Sequence, residues 1–197
     1  MQPQTFVFFG IVGSGKGTQV KLLQEYLKNK GGKEAVYIGT GEIFRKILES
    51  PGDDPNTKFV KEIVNSGKLI PDGRTNEIVQ ESLRTKFSPD RHLIFDGYPR
   101  TVPQSQEFEN MMKSYGCENV KIIYIELSEE EALKRNLLRG RHDDTPEGLA
   151  KRFEEYRNNV IPAMNFFKGK AGYEIFTING EQSIEAVHQD IIKALNI

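Results

Sequence analysis

One short stretch near the start of the chain has the residue types that bind phosphate groups. It runs from Gly10 to Thr18 with the sequence GIVGSGKGT, in which Lys16 follows three glycines. Glycines let successive backbone N–H groups turn inward and form a concave anion site, and the lysine adds a mobile positive charge. The stretch is therefore predicted to be a phosphate-binding loop.

The segments on either side supply the strand and the helix that such a loop requires. Thr5–Phe9 is an apolar run typical of a buried strand, and apolar residues recur at helical spacing over residues 19–27. The start of a helix adds unpaired N–H groups and the positive end of its dipole. The one departure from the usual pattern is Gly17, which moves the hydroxyl to Thr18.

Composition limits the class of protein. The chain has 197 residues and a net charge of -1, which predicts one substantial domain and gives no sign of a nucleic-acid or membrane partner. A single cysteine, Cys117, excludes an internal disulfide and a multi-cysteine zinc site, and the simplest setting is the reducing cytoplasm. We find no pattern of a signal peptide or a membrane span.

Strand-like apolar runs alternate with amphipathic segments. After the first strand they cover residues 35–38, 93–95, 120–125 and 175–178. This alternation predicts an α/β fold with a five-stranded parallel sheet and helices on both faces, in which ligands bind at the carboxyl ends of the strands. Residues 39–70 have no strand pattern and are predicted to form a small helical insertion within the single domain 1–197.

The stretch that follows the apolar run of residues 93–95 is also informative. Asp96 ends an apolar strand next to the predicted phosphate loop, so it is predicted to hold Mg²⁺ through water, with a helix cap or a salt bridge as the alternative. Gly97 permits close approach of the backbone, and Pro99 fixes the path of the chain. Arg100 then directs a planar guanidinium towards the strand ends.

A second group of cations lies further along the chain. A capping box that begins at Ser128 predicts a helix that carries Arg135 and Arg139 on one face, and Thr145 predicts the start of the helix that carries Arg152. A solvated helix face is the alternative for such arginines.

The short connection between these two helices carries further charges. Arg139 and Arg141 flank Gly140 at a helix end, which is a poor place for helix support alone. Asp143 and Asp144 are predicted to hold Arg141 or Arg152 in place, with magnesium-bound water as the alternative ligand.

A phosphate loop, a strand-end aspartate and several arginines together indicate phosphoryl transfer, in which catalysis is mostly positioning and charge stabilisation. The number of cations suggests two phosphorylated substrates. The absence of a convincing general base fits an acceptor that is already an anion. The cations divide into Lys16 with Arg139 for a nucleoside triphosphate, Arg45 with Arg100 for an acceptor phosphate, and Arg141 with Arg152 to bridge the two.

In order and spacing, these motifs resemble those of the adenylate kinases over nearly the whole chain. The resemblance implies a P-loop NTPase fold with a nucleoside monophosphate insertion and a minimal lid over residues 138–145. It implies the reaction ATP + AMP = 2 ADP with Mg²⁺, a role in adenine nucleotide homeostasis, and a cytoplasmic monomer. The matching stretches are Gly13–Thr18, Thr40 and Gly41 with Arg45, Gly67–Pro71, Asp96–Thr101 with Gln104, and Arg139–Arg152.

The resemblance also implies the nucleotide contacts. Gln104 would read the adenine edge of AMP, because its amide both donates and accepts. The transferring phosphoryl group would meet Lys16, Arg100, Arg139, Arg141 and Arg152. The ATP contacts would be Gly13, Ser14, Gly15, Lys16, Gly17, Thr18, Arg135, Arg139 and Gln182. The AMP contacts would be Thr40, Arg45, Lys68, Leu69, Ile70, Gly97, Tyr98, Pro99, Arg100, Gln104, Arg141 and Arg152.

Three departures from the family pattern carry expectations of their own. Val12 stands where proline is usual, which predicts a less rigid loop, and Gly39 stands where serine is common. Only Gly140 separates Arg139 from Arg141, so the lid is too short for the zinc site of some relatives. Such a lid is expected to close with a small movement and to exclude water less completely.

Three other functions compete with this interpretation. A UMP or CMP kinase of the same family would need only a change of acceptor pocket, although Thr40 and Gln104 favour AMP. A GTP-dependent switch would need an Asn-Lys-x-Asp motif, which the sequence does not contain. A non-catalytic nucleotide-binding protein is opposed by Lys16, Asp96 and Arg100.

Overall fold

The computed structural model describes residues 2–49, 55–65, 70–140 and 144–197. Within these residues, strands and helices alternate along the chain. The strands are β1 (Thr5–Phe9), β2 (Val36–Gly39), β3 (Leu93–Asp96), β4 (Val120–Glu126) and β5 (Tyr173–Asn179). The helices are α1 (Lys16–Gly31), α2 (Thr40–Glu49), α3 (Pro55–Asn65), α4 (Asp72–Lys86), α5 (Val102–Ser114), α6 (Glu129–Arg139), α7 (Pro146–Glu155), α8 (Ile161–Asn165) and α9 (Ile184–Leu195).

The strands form one parallel sheet in the order β2-β3-β1-β4-β5, which confirms the predicted sheet. The chain adds β2 and β3 on one side of β1 and then β4 and β5 on the other. Ligands bind at such a reversal in doubly wound sheets. Asp96 is in register with Phe8 of β1 and with Gly39 of β2, so the carboxyl ends of three strands meet at one edge.

Both faces of the sheet are buried under helices, which explains why the strands are apolar throughout. Phe6 and Phe8 of β1 pack with α1 and α9 on one face, whereas Val7 and Phe9 pack with α4, α5 and α8 on the other. Phe108 of α5 is fully buried in the second layer. These layers fix the carboxyl ends of β1 and β3 in position.

The spacing of apolar residues predicts an inner face of Ile78, Val79 and Leu83 on one helix and of Ile184, Val187, Ile191 and Leu195 on the last helix. Ile184 was expected to face inward, but it is 53% exposed at the first position of α9, whereas Val187, Ile191 and Leu195 are buried. Ile78 is only half-buried, because the inner face of α4 follows Thr75 at intervals of four residues. The prediction is therefore wrong for Ile184 alone, and the other members of the two stripes are buried or half-buried.

The sequence predicts that the helix after Thr145 continues past Tyr156 and is kinked or ended at Pro162. The helix does continue past Tyr156, but its irregularity precedes Pro162. A π-helical turn spans Tyr156–Val160, and Ile161 donates its N–H to the Tyr156 carbonyl five residues earlier. A wider turn ahead of a proline accommodates the residue that lacks an N–H. No helix in the described part of the chain has the length and apolar character needed to cross a membrane.

Candidate nucleotide site

The glycine-rich loop between β1 and α1 turns its carbonyl groups towards side chains. Lys16 Nζ donates to the carbonyls of Gly10 at 2.6 Å and Ile11 at 2.9 Å, and the Val12 carbonyl accepts from Asn136 Nδ2 at 3.0 Å. Gly13 and Gly15 have φ values of +89° and +88°, which side chains rarely adopt. Carbonyls held this way leave the N–H groups of the loop to face an anion.

Lys16 lies among other charged groups of this edge. Its pKa is lowered from the ordinary 10.5 to about 8, mainly by burial and also by the charges of Arg100 and Arg139, whereas the Asp96 carboxylate opposes the shift. Four predicted site residues, Lys16, Asp96, Arg100 and Arg139, therefore interact electrostatically although they come from three separate segments. A lysine with a lowered pKa that lies among cations gains most from a ligand that carries negative charge.

Asp96 at the end of β3 has Tyr37 of β2 as a neighbour. Burial raises the pKa of the Tyr37 phenol above its ordinary value, and the Asp96 charge and a hydrogen bond to Asp96 raise it further. A Cβ atom on Gly39 would lie 2.1 Å from the Tyr37 hydroxyl oxygen. Gly39 therefore makes room for the tyrosine, which explains this departure from serine.

A small cavity opens between α2 and the segment after β3. Thr40 Oγ1 and Arg100 Nε each donate to the Gly97 carbonyl at 2.7 Å. A Cβ atom on Gly97 would lie 2.7 Å from Arg100 Nη2 and 2.8 Å from Thr40 Oγ1, so only glycine fits there. The cavity is lined by Thr40, Phe44, Ile70, Thr75, Gly97, Arg100 and Gln104.

Gln104 is buried against this cavity in a fixed orientation. Its Oε1 accepts from the Arg100 backbone N–H, and its Nε2 donates to Asp72 Oδ1, each at 2.8 Å. An amide has two N–H groups and two lone pairs, so one donor and one acceptor remain for a ligand. Asp72 also accepts from Thr101 Oγ1 at 2.8 Å. Sequence reasoning missed Asp72, whose only signal was its place at the start of α4.

The arginines after β4 meet on one buried carboxylate. Arg139 donates to Asp144 through Nε at 3.0 Å and through Nη2 at 2.8 Å, and Arg152 Nη1 lies 3.4 Å from Asp144 Oδ1. The Asp144 side chain is 0% exposed. The predicted contact between Asp144 and Arg152 is confirmed, and Asp144 also holds Arg139.

Arg135 lies one turn before Arg139 on α6, and its Nε donates to Glu131 Oε1 at 2.8 Å. Glu181 accepts from the Ser128 hydroxyl at 2.5 Å, which ties the segment after β5 to the first turn of the same helix. Gln182 follows in that segment and donates to the Asn179 carbonyl at 3.0 Å. Arg135 and Gln182, both predicted to contact ATP, thus lie on connected segments.

Some of the other predicted site residues lie in the described part of the chain, and some lie outside it. Tyr98 is buried and joined to Pro99 by a cis peptide bond, and Arg45 is exposed on α2, where its charge acts on Arg100. Burial lowers the pKa of Arg100, and the charges of Arg152 and Arg45 lower it further, whereas Asp96 opposes them. Several residues lie outside the described part of the chain: Lys68, Leu69, Arg141 and Asp143.

The sheet order and the glycine-rich loop at the end of β1 define a P-loop nucleotide-binding fold. A sequence model of the family described as "Adenylate kinase" matches residues 8–172. Curated relatives include adenylate kinase 1 of Nostoc sp., 31% identical over 185 residues that cover 94% of this chain and 95% of the relative. The adenylate kinase of Corynebacterium diphtheriae is 33% identical over 189 residues, which cover 96% and 97% of the two chains.

The chain belongs to the adenylate kinase family. It is a phosphotransferase with adenylate kinase activity, the reversible reaction ATP + AMP = 2 ADP. The predicted family and enzyme class are confirmed, and the residue-level contacts remain predictions.

The lowered pKa of Lys16 predicts a pH dependence. The ammonium form binds phosphate, and its fraction falls as pH rises through about 8. We expect kcat/KM for ATP, which reports the free enzyme, to fall above that pH by about tenfold per pH unit in the limit. At saturating ATP the triphosphate charge favours the ammonium form, so the fall in kcat begins at higher pH.

Steady-state rates measured from pH 6 to pH 10 with excess Mg²⁺ test this. Lys16→Arg is the matched variant, because a guanidinium stays charged over the whole range. Its remaining activity is expected to lack the fall near pH 8. The same fall in that variant would assign the titration to another group.

Proposed function

We propose that phosphoryl transfer occurs between the glycine-rich loop and the cavity beside Gly97. In this proposal the loop binds ATP and the cavity binds AMP. The single observation that carries it is the convergence of Lys16, Arg100 and Arg139 from three separate segments, seen in the charges that shift the pKa of Lys16. The transferred group in phosphoryl transfer spreads negative charge over its oxygens, and fixed cations stabilise that charge.

Each cation has a proposed task that follows from its position. Lys16 moves from the carbonyls of Gly10 and Ile11 to the outer phosphates of ATP, a short movement of a flexible side chain. Arg100, with its Nε fixed on the Gly97 carbonyl, meets the AMP phosphate. Arg139 and Arg152, oriented by Asp144, stabilise the group in transit, together with Arg141.

The acceptor needs no general base in this mechanism. A phosphate oxygen of AMP is already an anion near neutral pH, so positioning and desolvation supply the catalysis. The protein therefore has to align two phosphates and exclude water. The minimal lid, proposed for residues 138–145, would close over them from the end of α6.

Mg²⁺ is the proposed cofactor, and Asp96 fits it through water. The carboxylate ends β3 in register with β1, directly before the glycine-rich loop, and oxygen ligands are those that Mg²⁺ prefers. A bound Mg²⁺ would neutralise charge on the ATP phosphates. Tyr37, hydrogen-bonded to the same carboxylate, would orient it.

The proposed setting is a cytoplasmic monomer that acts on ATP, AMP and ADP. The single cysteine suits a reducing compartment. No observation favours a UMP or CMP acceptor over AMP.

Gln104→Ala tests the proposed adenine contact. Loss of the amide removes one donor and one acceptor facing the cavity, so we expect kcat/KM for AMP to fall about 10-fold to 100-fold. The KM for ATP should change less than about twofold, because ATP is assigned to the glycine-rich loop and not to the cavity that Gln104 lines. Gln80→Ala is the matched control, since Gln80 donates instead to Glu107 between α4 and α5. Equal losses for both nucleotides would contradict the assignment.

Asp96→Asn tests the proposed Mg²⁺ contact. Removal of the carboxylate charge should raise the Mg²⁺ concentration for half-maximal velocity by about tenfold, since a charged oxygen ligand binds the hydrated ion more tightly. Calorimetric titration of a non-hydrolysable ATP analogue with and without Mg²⁺ gives a second readout. Asp90→Asn, on the exposed turn before β3, is the control. An unchanged Mg²⁺ requirement would remove Asp96 from the metal site.

A further inference from the structure

We propose that Asn136 is a positioning residue that fixes the glycine-rich loop and Arg139 with one side-chain amide. Asn136 lies on α6 and is 0% exposed. Its Nδ2 donates to the Val12 carbonyl at 3.0 Å and to the Ala132 carbonyl at 2.6 Å, and its Oδ1 accepts from Arg139 Nη2 at 2.5 Å. The inference rests on the roles proposed above for the loop and Arg139.

The neighbours of the amide determine its orientation. Two carbonyl oxygens face one end and a guanidinium N–H faces the other, so the reverse orientation would oppose acceptor to acceptor and donor to donor. A side chain buried to this degree needs such partners, because an unsatisfied buried polar group costs about 1–3 kcal/mol. Asn136 therefore cannot turn without losing both contacts, which makes it a rigid link between Val12 and Arg139.

The contact with Val12 acts on the central peptide bond of a tight turn. The Ser14 N–H donates to the Ile11 carbonyl at 3.1 Å, and Gly13 has φ of +89°, as in a type II turn with Val12 at its second position. In a type II turn the central carbonyl points opposite to its direction in a type I turn. By holding that carbonyl, Asn136 selects one direction of the Val12–Gly13 peptide bond.

The direction of this peptide bond determines whether the Gly13 N–H is available to a phosphate. The N–H of Gly13 is trans to the Val12 carbonyl across the same peptide plane, so a carbonyl held towards α6 directs the N–H away from α6. A Cβ atom on Gly13 would lie 2.4 Å from Asn136 Nδ2, so the close approach also depends on glycine. Proline is favoured at the second position of such turns, and Val12 does not supply that restraint.

The other end of the amide acts on Arg139. Asp144 binds the guanidinium through Nε and Nη2, and Asn136 adds a second acceptor on Nη2. Two acceptors from separate segments restrict the rotation of a long side chain that is 31% exposed. Asn136 thus positions both the loop proposed to bind ATP and Arg139, which is proposed to stabilise the transferring phosphoryl group.

Asn136→Ala tests the link through a split of kinetic constants. We expect kcat to fall about 10-fold to 100-fold and KM for ATP to rise several-fold, since small misplacements of catalytic groups have effects of this size. The KM for AMP should change less than about twofold, because the cavity residues are not hydrogen-bond partners of Asn136 in the described chain. Asn159→Ala, at a half-buried position on the π-helical turn, is the control and should leave activity unchanged.

Two further variants separate the two ends of the amide. Val12→Pro added to Asn136→Ala should restore KM for ATP, because proline fixes the turn by itself, but should leave kcat low. Asn136→Asp keeps the acceptor for Arg139 and opposes a carboxylate to the Val12 carbonyl. This variant should therefore weaken the binding of ATP but lower kcat less than Asn136→Ala does.

Calorimetric affinity for a non-hydrolysable ATP analogue, measured on every variant with its unfolding temperature, separates positioning from loss of stability. Any of three results would overturn the inference. The first is kinetic constants of Asn136→Ala within twofold of those of the parent, and the second is an equal rise of the KM values for ATP and AMP. The third is no effect on KM for ATP when Val12→Pro is added to Asn136→Ala. If Asn136→Ala does not fold, Asn136→Asp carries the test, alone and with Val12→Pro added to it. Parent activity in the same assay tests the proposed function separately, since its absence would reject that function rather than the link.

Discussion

The concentration of positive charge at the carboxyl ends of β1 and β3 is the constraint on which the rest of this structure depends. Cations brought together in a partly buried place repel one another and lose hydration, and the lowered pKa values of Lys16 and Arg100 record that cost. Carboxylates and carbonyls restrain them: Asp96 opposes both shifts, and Asp144 binds Arg139. A ligand with several negative charges relieves this repulsion, which is why the edge suits two phosphorylated nucleotides.

The sheet turns charges that are distant in sequence into neighbours. Because all strands are parallel, each carboxyl end delivers its following segment to the same edge, and the register of Phe8 with Asp96 brings the loop and the aspartate side by side. Burial on both faces fixes this register, since a slip by one residue would exchange the two apolar layers. Stability and catalysis therefore depend on the same strands.

Much of the fold could be predicted from the sequence because its signals are local. Apolar runs marked the strands within one or two residues, Ser128 and Thr145 cap the helices predicted to follow them, and glycine spacing marked the loop. Errors arose where local pattern competes with packing. Ile184 matches the stripe of α9 but lies in its first turn, outside the core, and the π-helical turn before Pro162 has no signal in residue types alone.

The contacts that orient the site residues could not be predicted from the sequence, because they join residues that are far apart along the chain. Asp72 fixes the amide of Gln104 across 32 positions, and Asn136 reaches the Val12 carbonyl across 124. Tyr37 explains Gly39 only when its ring is seen to fold over the glycine. Each of these is a polar or aromatic residue with many ordinary roles, so only its partners reveal its function.

Chromatography of the products formed from Mg-ATP with AMP, UMP, CMP or GMP in separate reactions tests the proposed site most directly. We expect ADP from ATP and AMP and far slower reactions with the other acceptors, because Gln104 offers one donor and one acceptor to an adenine edge. Rapid formation of UDP or CDP would contradict the assigned acceptor while leaving the phosphoryl-transfer site intact. The absence of product with every acceptor would contradict the proposal that the gathered cations perform transfer at all.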